Sequence, residues 1–429
     1  MRATTLGLWT TLLFVVPVAA AGSDAADEVR VRVLPSRVDA VLDHTGPYTG
    51  LADAFLDLLD WIEAGRWIPV GRGVGVFHDD PTRVPAPKLR AEARIPINVY
   101  GGFLPRPPPG EVGARLERTE PLLVASALHV GPYDRVLPVI DRILGRLPRL
   151  GLKVAGPEME RYLNDPADTP PEALETEVLF PVAPRRKKVD VGIYAGWGGF
   201  PQGVEAASLC FTAAGLSVRP ISAAEINDGS FARKIRLLYM PGGWAAHYVR
   251  DIKDAGARHI ERFVREGGGY IGICAGSYYA ARQISWSGKT WSYDIDLFPG
   301  VPSGPIRKIA PWPYYVTTGV KLDTGHPITA GGPARRVTLY YGGPVLEPRE
   351  GSGVKVLGTF EKTGQPAIVA FEKGKGKVFL SAVHLEFDLT SEVDNTPWPE
   401  NEKGIEDDQS DWEMLQRAAR WILGELPDR

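Results

Sequence analysis

The sequence predicts two folded units in series: an α+β domain built from a repeated half, then an α/β layered domain. Three observations carry this. A set of landmarks between residues 46 and 181 recurs at a constant offset of 85 positions. From residue 188 onward, short apolar strands alternate with helical runs. Within that alternation lies Gly267-Gly-Gly-Tyr-Ile-Gly-Ile-Cys-Ala-Gly-Ser-Tyr-Tyr-Ala-Ala-Arg282, which reads as strand, sharp turn and helix with Cys274 at the apex.

Residues 1–21 stand apart from both units. Arg2 precedes the apolar run Leu6–Val18, and Ala19–Ala21 offers small residues for cleavage. The run is too short to span a bilayer, so the pattern is that of a secretory signal peptide. The expectation is a secreted or periplasmic protein with no stable membrane insertion after cleavage near Ala21. An uncleaved N-terminal anchor is the alternative. Lys and Arg number 49 against 52 Asp and Glu, for a net charge of -3. With no basic stripe, that balance argues against nucleic acid as a partner. The chain holds only Cys210 and Cys274, so a disulfide framework is not the design, and both thiols are expected to be free.

The first unit opens on Val29, Val31 and Val33 alternating with Arg30 and Arg32, a half-buried strand. The repeat follows. Gly46-Pro47-Tyr48 returns as Gly131-Pro132-Tyr133, and Asp80-Pro81 as Asp165-Pro166. The apolar face Leu51, Phe55, Leu58, Leu59, Ile62 returns as Val136, Ile140, Ile143, Leu144, Leu147. Leu89, Glu92 and Pro96 return as Leu174, Glu177 and Pro181. Two strand–helix–strand–strand halves related by a pseudo-two-fold axis are expected, each helix packed on the sheet. Ligand sites tend to form at such seams. Glu92 and Glu177 occupy equivalent strand positions, facing either the seam or water. A seam carboxylate with aromatic walls suits a cationic or amphipathic ligand.

Gly-Pro-Tyr, Phe77-His78-Asp79-Asp80-Pro81, Gly156-Pro157, Tyr162-Leu163-Asn164-Asp165-Pro166 and Thr176-Glu177-Val178 together resemble the gyrase-inhibitor-like effector-binding domain. That family is similar in fold to haem-binding SOUL proteins. The resemblance covers about residues 29–183. It implies a small-molecule ligand, with Glu177 and Tyr162 as ligand-binding residues. Pro184-Arg-Arg-Lys-Lys188 reads as a linker.

The second unit, 188–425, begins with strand Lys188–Ala195, then a helix running to Ala214 and a strand Leu216–Ile221. Ile235–Met240 is an apolar strand ending in Pro241-Gly242-Gly243, and Asp251–Arg265 an amphipathic helix. Strands alternating with helices imply a parallel sheet covered on both faces. Five further strands and a closing helix, Trp412–Leu426, complete the unit. Cys274 sits between Gly272 and Gly276, which removes the side chains that would clash at a strained elbow. A helix N-terminus beside a thiol favours the reactive thiolate. Amides of Gly243 and Ala275 are the candidate oxyanion donors. Among seven histidines, His384 closes the strand Val378–Val383 and is the candidate base; Glu386 is the candidate that orients it. His384, Glu386 and Asp388 also have metal-like spacing, but no second His or thiol pairs with them, so no metal and no cofactor is expected.

Pro241-Gly-Gly243, Gly272-Ile-Cys-Ala-Gly276 followed by Tyr278, Tyr340-Tyr-Gly-Gly-Pro344, and Gly376-Lys-Val378 with His384-x-Glu386 resemble the class I glutamine-amidotransferase-like superfamily. The nearest branch is the biotin–protein ligase N-terminal domain-like family. The resemblance covers about residues 188–425. It implies a flavodoxin-like layer and a Cys274–His384–Glu386 triad. Leu385 departs from the proline usual between His and Glu. No synthetase or biotin-ligase domain accompanies the unit, so glutamine amidotransfer is not carried over. The functional expectation is a cysteine hydrolase acting on an amide, peptide or related acyl bond, with a small-ligand domain in front. The alternative is a non-catalytic binding or sensor protein on the same scaffold, and a third reading places hydrolysis at Glu177. The sequence fixes no oligomeric state.

Overall fold

The computed structural model describes residues 28–98, 113–387 and 411–426. The signal-peptide stretch and Asp388 lie outside the described residues.

The first domain is one twisted antiparallel sheet carrying two helices. Its elements in order are β1 (Arg30–Leu34), β2 (Val38–Thr45), α1 (Leu51–Ala64), β3 (Val74–Phe77), β4 (Arg90–Pro96) and β5 (Arg115–Arg118). Then come β6 (Leu122–Val130), α2 (Leu137–Arg146), β7 (Leu152–Val154), β8 (Glu158–Tyr162) and β9 (Glu175–Pro184). The strands lie in the order β1-β6-β9-β8-β3-β4-β2-β5, with β7 on β9. Residues 28–98 and 113–183 meet where β3 pairs with β8, Gly75 opposite Glu160 and Phe77 opposite Glu158. Both α1 and α2 are entered through the same kind of turn. Gly46 and Gly131 have φ of +137° and +131°, and His44 and His129 each bring Nε2 within 3.0 and 2.9 Å of the carbonyl oxygen three residues on. The period-two alternation then sorts the faces. Ala91, Ala93 and Ile95 of β4 pack under α1, and Val178, Phe180 and Val182 of β9 share a core with Val139 and Ile143 of α2 and with Leu147 just after it.

The second domain contains β10 (Val189–Tyr194), α3 (Pro201–Ala213), β11 (Val218–Ile221), α4 (Ala223–Asn227), β12 (Ile235–Met240), α5 (Ala245–Asp251) and α6 (Asp254–Arg265). The elbow follows as β13 (Gly269–Ile273) and α7 (Ala275–Tyr279). β14 (Gln283–Trp286), β15 (Lys289–Ser292) and β16 (Ser303–Gly304) form a small separate sheet that the periodicity does not announce. Last come β17 (Val316–Leu322), β18 (Arg335–Tyr340), β19 (Lys355–Phe360), β20 (Pro366–Lys373), β21 (Gly376–Ser381) and α8 (Trp412–Ile422).

The main sheet runs β11-β10-β12-β13-β21-β20-β19-β17-β18. Only its first five strands are parallel; the other four extend it antiparallel. This corrects the all-parallel expectation. The reason is the loops: β20 and β21 are joined only through Gly374, with φ +65°, and Lys375, and a link that short can only make a hairpin. The helix expected over Asp251–Arg265 is likewise two helices, broken at Ile252 and Lys253, where Asn227 Oδ1 accepts from the Lys253 amide at 2.8 Å.

The domains are joined through β1. One edge of β1 pairs with β6; the other lies along α3. The Val33 amide donates to Ser208 Oγ at 2.9 Å, Ser36 N–H to the Ala195 carbonyl at 3.0 Å, and Thr212 Oγ1 to the Val31 carbonyl at 3.2 Å. An edge strand is thereby covered rather than left open for pairing.

Candidate functional site

The register of two neighbouring strands builds the site. In β13 and β21, Ile273 stands opposite Ser381. Cys274 follows the first strand directly, and His384 lies three residues beyond the second, at the same carboxyl end of the parallel layer. The Cys274 amide donates to the Ser381 carbonyl at 2.8 Å, and Ser277 Oγ sits 2.8 Å from the carbonyl oxygens of both Gly272 and Ser381. Strand, elbow and the return strand are thus pinned together.

Cys274 has φ +47° and ψ −102°, a conformation that L residues rarely adopt. Such strain costs on the order of 1–3 kcal/mol and persists only when its surroundings enforce it. The enforcement is visible at both flanking glycines. A Cβ on Gly272 would lie 2.6 Å from the Gly276 carbonyl oxygen, and one on Gly276 would lie 2.1 Å from that of Met240.

His384 is buried, and its Nδ1 lies 2.8 Å from Glu386 Oε1. The pair forms with leucine between its members; Leu385 is fully buried. The imidazole also stacks over bare backbone, since a Cβ on Gly242 would be 2.5 Å from its Cε1. Nε2 makes no regular hydrogen bond. Burial pushes the imidazole pKa down, but the Glu386 carboxylate, and then the charge and contact of Cys274, outweigh it and hold the value well up. Sulfur and imidazole are therefore neighbours. The resting thiol donates to the Tyr341 carbonyl at 3.4 Å.

Glu386 is seated against α3. A Cβ on Gly203 would lie 3.1 Å from Glu386 Oε1, and Trp412 Nε1 donates to the Glu386 carbonyl at 2.7 Å. Phe200, at the start of α3, packs edge-on to His384 at 6.4 Å.

The two amides proposed for oxyanion binding share one property. Gly243 is paired with Gly199 in a bridge whose hydrogen bonds flank it: Phe200 N–H to Gly242 O and Trp244 N–H to Gly198 O, both 2.8 Å. In that register the Gly243 N–H points away from its partner strand. Its φ is +132°, and a Cβ there would lie 2.0 Å from Gly198 O. Ala275 opens α7, so its amide has no intrahelical acceptor.

Cys210 is a different kind of thiol. It is fully buried, free of disulfide like Cys274, and burial pushes its pKa well up.

In the first domain the expected ligand pair is separated. Glu177 stands opposite Arg161 across β8 and β9, whereas Tyr162 stands opposite Thr176. By strand alternation they project from opposite faces. Glu177 Oε1 lies 2.6 Å from Arg32 Nη2 and its Oε2 3.4 Å from Arg161 Nη1; Arg32 Nε also reaches Glu205 Oε2 on α3 at 3.2 Å. Burial raises the Glu177 pKa, but the two guanidiniums overcome it and hold the value at about 2. Glu177 is thus a domain-interface residue, which corrects its assignment to the ligand seam and removes it as a hydrolytic group. Glu92 faces the same way, held by Arg94 and His78.

The seam carboxylates are Glu158 and Glu160. They share the face of Tyr162, whose hydroxyl donates to Glu160 Oε2 at 3.2 Å. Phe55 and Tyr133 pack edge-on to Tyr162 at 5.7 and 5.3 Å, and Tyr48 to Phe77 at 4.9 Å. Gly75 leaves room there, since a Cβ would lie 2.9 Å from Tyr162 Oη. Burial raises the pKa of both glutamates to about 7. The repeat concealed them because Glu160 is matched by Gly75; the i, i+2, i+4 spacing of Glu158, Glu160 and Tyr162 was the signal available.

Two family profiles match the chain: "Biotin-protein ligase, N terminal" over residues 189–420 and "GyrI-like small molecule binding domain" over residues 28–183. An uncharacterized protein of Chlamydia muridarum is 32% identical over 170 residues, 38% of this chain and 64% of that protein. A biotin–protein ligase of Schizosaccharomyces pombe is 28% identical over 182 residues, 40% of this chain and 28% of that protein. The chain spans less than two thirds of either. A DNA gyrase inhibitor of Enterobacter lignolyticus is 31% identical over 148 residues, 32% of this chain and 87% of that protein. Among solved structures, a glutamine amidotransferase superposes with a TM-score of 0.38 at 17% identity, covering 55% of this chain and 98% of that one.

Proposed function

We propose, for a chain that belongs to the biotin-protein ligase N-terminal family and carries a GyrI-like small-molecule binding domain, a cysteine hydrolase of amide, peptide or related acyl bonds. The observation that carries this reading is the strained Cys274 beside a buried His384–Glu386 pair. Cys274 Sγ attacks the carbonyl carbon as the thiolate partner of a protonated His384. Glu386 fixes the imidazole through Nδ1, and the Gly243 and Ala275 amides receive the oxyanion. The leaving amine departs with the proton from His384. Water, deprotonated by the same imidazole, then releases the acid and restores the thiol.

The two halves of the first domain are read as a duplicated effector-binding unit, and the second domain as a flavodoxin-like layer. Glu160, Glu158 and Tyr162 bind a cationic or amphipathic small molecule in that unit, which modulates the hydrolase. Arg2, the apolar run Leu6–Val18 and Ala19–Ala21 support secretion or export to a periplasm; N-terminal sequencing of the exported protein beginning after Ala21 is the expected result.

A second reading is a sensor without chemistry, favoured by the seam carboxyls with raised pKa values. A panel of acyl-coumarin amides and esters separates the two. Turnover by the native protein that disappears in Cys274→Ala supports the hydrolase. Turnover that survives that substitution removes the mechanism.

A further inference from the structure

An acyl group attacked by Cys274 has a fixed frame, with its carbon against Sγ and its oxygen toward the Gly243 and Ala275 amides. The segments that supply those atoms also carry aromatic rings. Trp244 follows Gly243 directly and is 48% exposed. Tyr341 supplies the carbonyl that accepts from the thiol, and its ring stacks on Trp312 at 5.1 Å with an interplanar angle of 17°. Trp244 and Trp286 meet Trp312 edge-on at 5.3 and 5.5 Å.

This wall is built into the scaffold. Gly342, with φ +70°, passes beneath it, and a Cβ there would lie 2.9 Å from the Trp312 ring. Tyr278, on the helix that follows the nucleophile, donates to the Gly342 carbonyl at 3.2 Å and packs on Trp286 at 5.6 Å. Three indoles from three separate segments thus meet at Trp312, which stacks on the residue whose carbonyl accepts from the thiol, and none of the three is buried. Contiguous apolar surface left at a rim marks a binding site.

We propose that Trp312, Trp244 and Trp286 form an acyl-side subsite that reads a flat apolar substituent. The substrate class is amides or esters of acyl groups bearing an aromatic ring, not small polar amides such as glutamine. This rests on Cys274 being the nucleophile. A ring seated on the wall makes the offset or edge-on contacts that aromatic pairs prefer.

Two electrophiles test it on the full-length protein, with Cys274→Ser as the background. Benzyloxycarbonyl-phenylalanyl chloromethyl ketone presents the aromatic group; iodoacetamide presents none. In each reaction an S–C bond forms, chloride or iodide leaves, and the thiol proton passes to His384. The readout is the ratio of the two alkylation rates at Cys274 by peptide mapping. The ratio is expected to fall about tenfold in Trp312→Ala and several-fold in the exposed Trp244→Ala, consistent with losing one to two aromatic contacts. Phenylalanine methyl ester is expected to protect the thiol better than glutamine. An unchanged ratio in both variants, or equal protection by the two ligands, overturns the subsite while leaving the nucleophile standing. Reaction of Cys274 with neither reagent sinks the hydrolase reading instead, and the subsite with it.

Discussion

Cys274 and the glutamates of the first domain are held in states that an isolated residue would leave. For the cysteine the constraint is steric. Gly276→Ala places a methyl group 2.1 Å from a main-chain oxygen, which no rotamer relieves. We expect this substitution to cost at least about 3 kcal/mol, as overpacking against rigid backbone does, read as a lower denaturation midpoint at unchanged slope. For Glu158 and Glu160 the constraint is dielectric. Their folded pKa, about 7, exceeds the ordinary 4.5, so the native state keeps protons that the unfolded chain releases. Their contribution to stability therefore declines as pH rises from about 4.5 to 7. A bound cation reverses the sign, because it needs the ionised form. The affinity for tetraphenylphosphonium, measured calorimetrically, is expected to tighten about tenfold from pH 6 to pH 8. Glu160→Gln should flatten that dependence; an equally steep one in the variant assigns the protons elsewhere.

At the level of elements, α3 serves two neighbours. Its Ser208 satisfies the Val33 amide of β1, and its Gly203 makes room for Glu386. Ser208→Ala leaves a buried amide without a partner and should cost about 1–3 kcal/mol, measured by urea unfolding. Gly203→Ala separates stability from chemistry. Alanine in a helix gains up to about 1 kcal/mol over glycine, yet its methyl would stand 3.1 Å from Glu386 Oε1. We expect little loss of melting temperature together with a marked slowing of Cys274 alkylation. Legibility also divides at this scale. The elbow was readable because Gly272, Cys274 and Gly276 are local in sequence. The pairing of β13 with β21, which brings His384 to it, spans more than a hundred residues and was reached only through His384 ending an apolar strand. The antiparallel extension is not legible in the apolar runs, which look alike in either sense, and only loop length distinguishes them.

Across the whole molecule, the domains meet through Arg32, which bridges Glu177 of one and Glu205 of the other. The offset of 85 exposed the repeat but not which strand face each glutamate takes. The family resemblance implies Glu177 as a ligand residue, and neither Arg32 nor Arg161, which hold it, is adjacent to it in sequence. Its folded pKa, about 2, lies below the ordinary 4.5, so its contribution is complete above about pH 4.5 and is lost as pH falls toward 2. Each decade of proton affinity is worth about 1.4 kcal/mol, which makes that contribution roughly 3 kcal/mol. Arg32→Ala leaves the half-buried Glu177 with Arg161 alone and should cost about 1.5–3 kcal/mol, with a shallower acid limb in the pH–stability curve. Above these effects stands the chemistry at the junction of β13 and β21. Its most direct measure is the rate of iodoacetamide alkylation at Cys274 in the native, unreduced protein at pH 7. The rate should be fast in the wild type, fall at least tenfold in His384→Ala and fall less in Glu386→Gln, while buried Cys210 stays unmodified. Equal rates with and without the imidazole would contradict the claim that His384 activates the thiol.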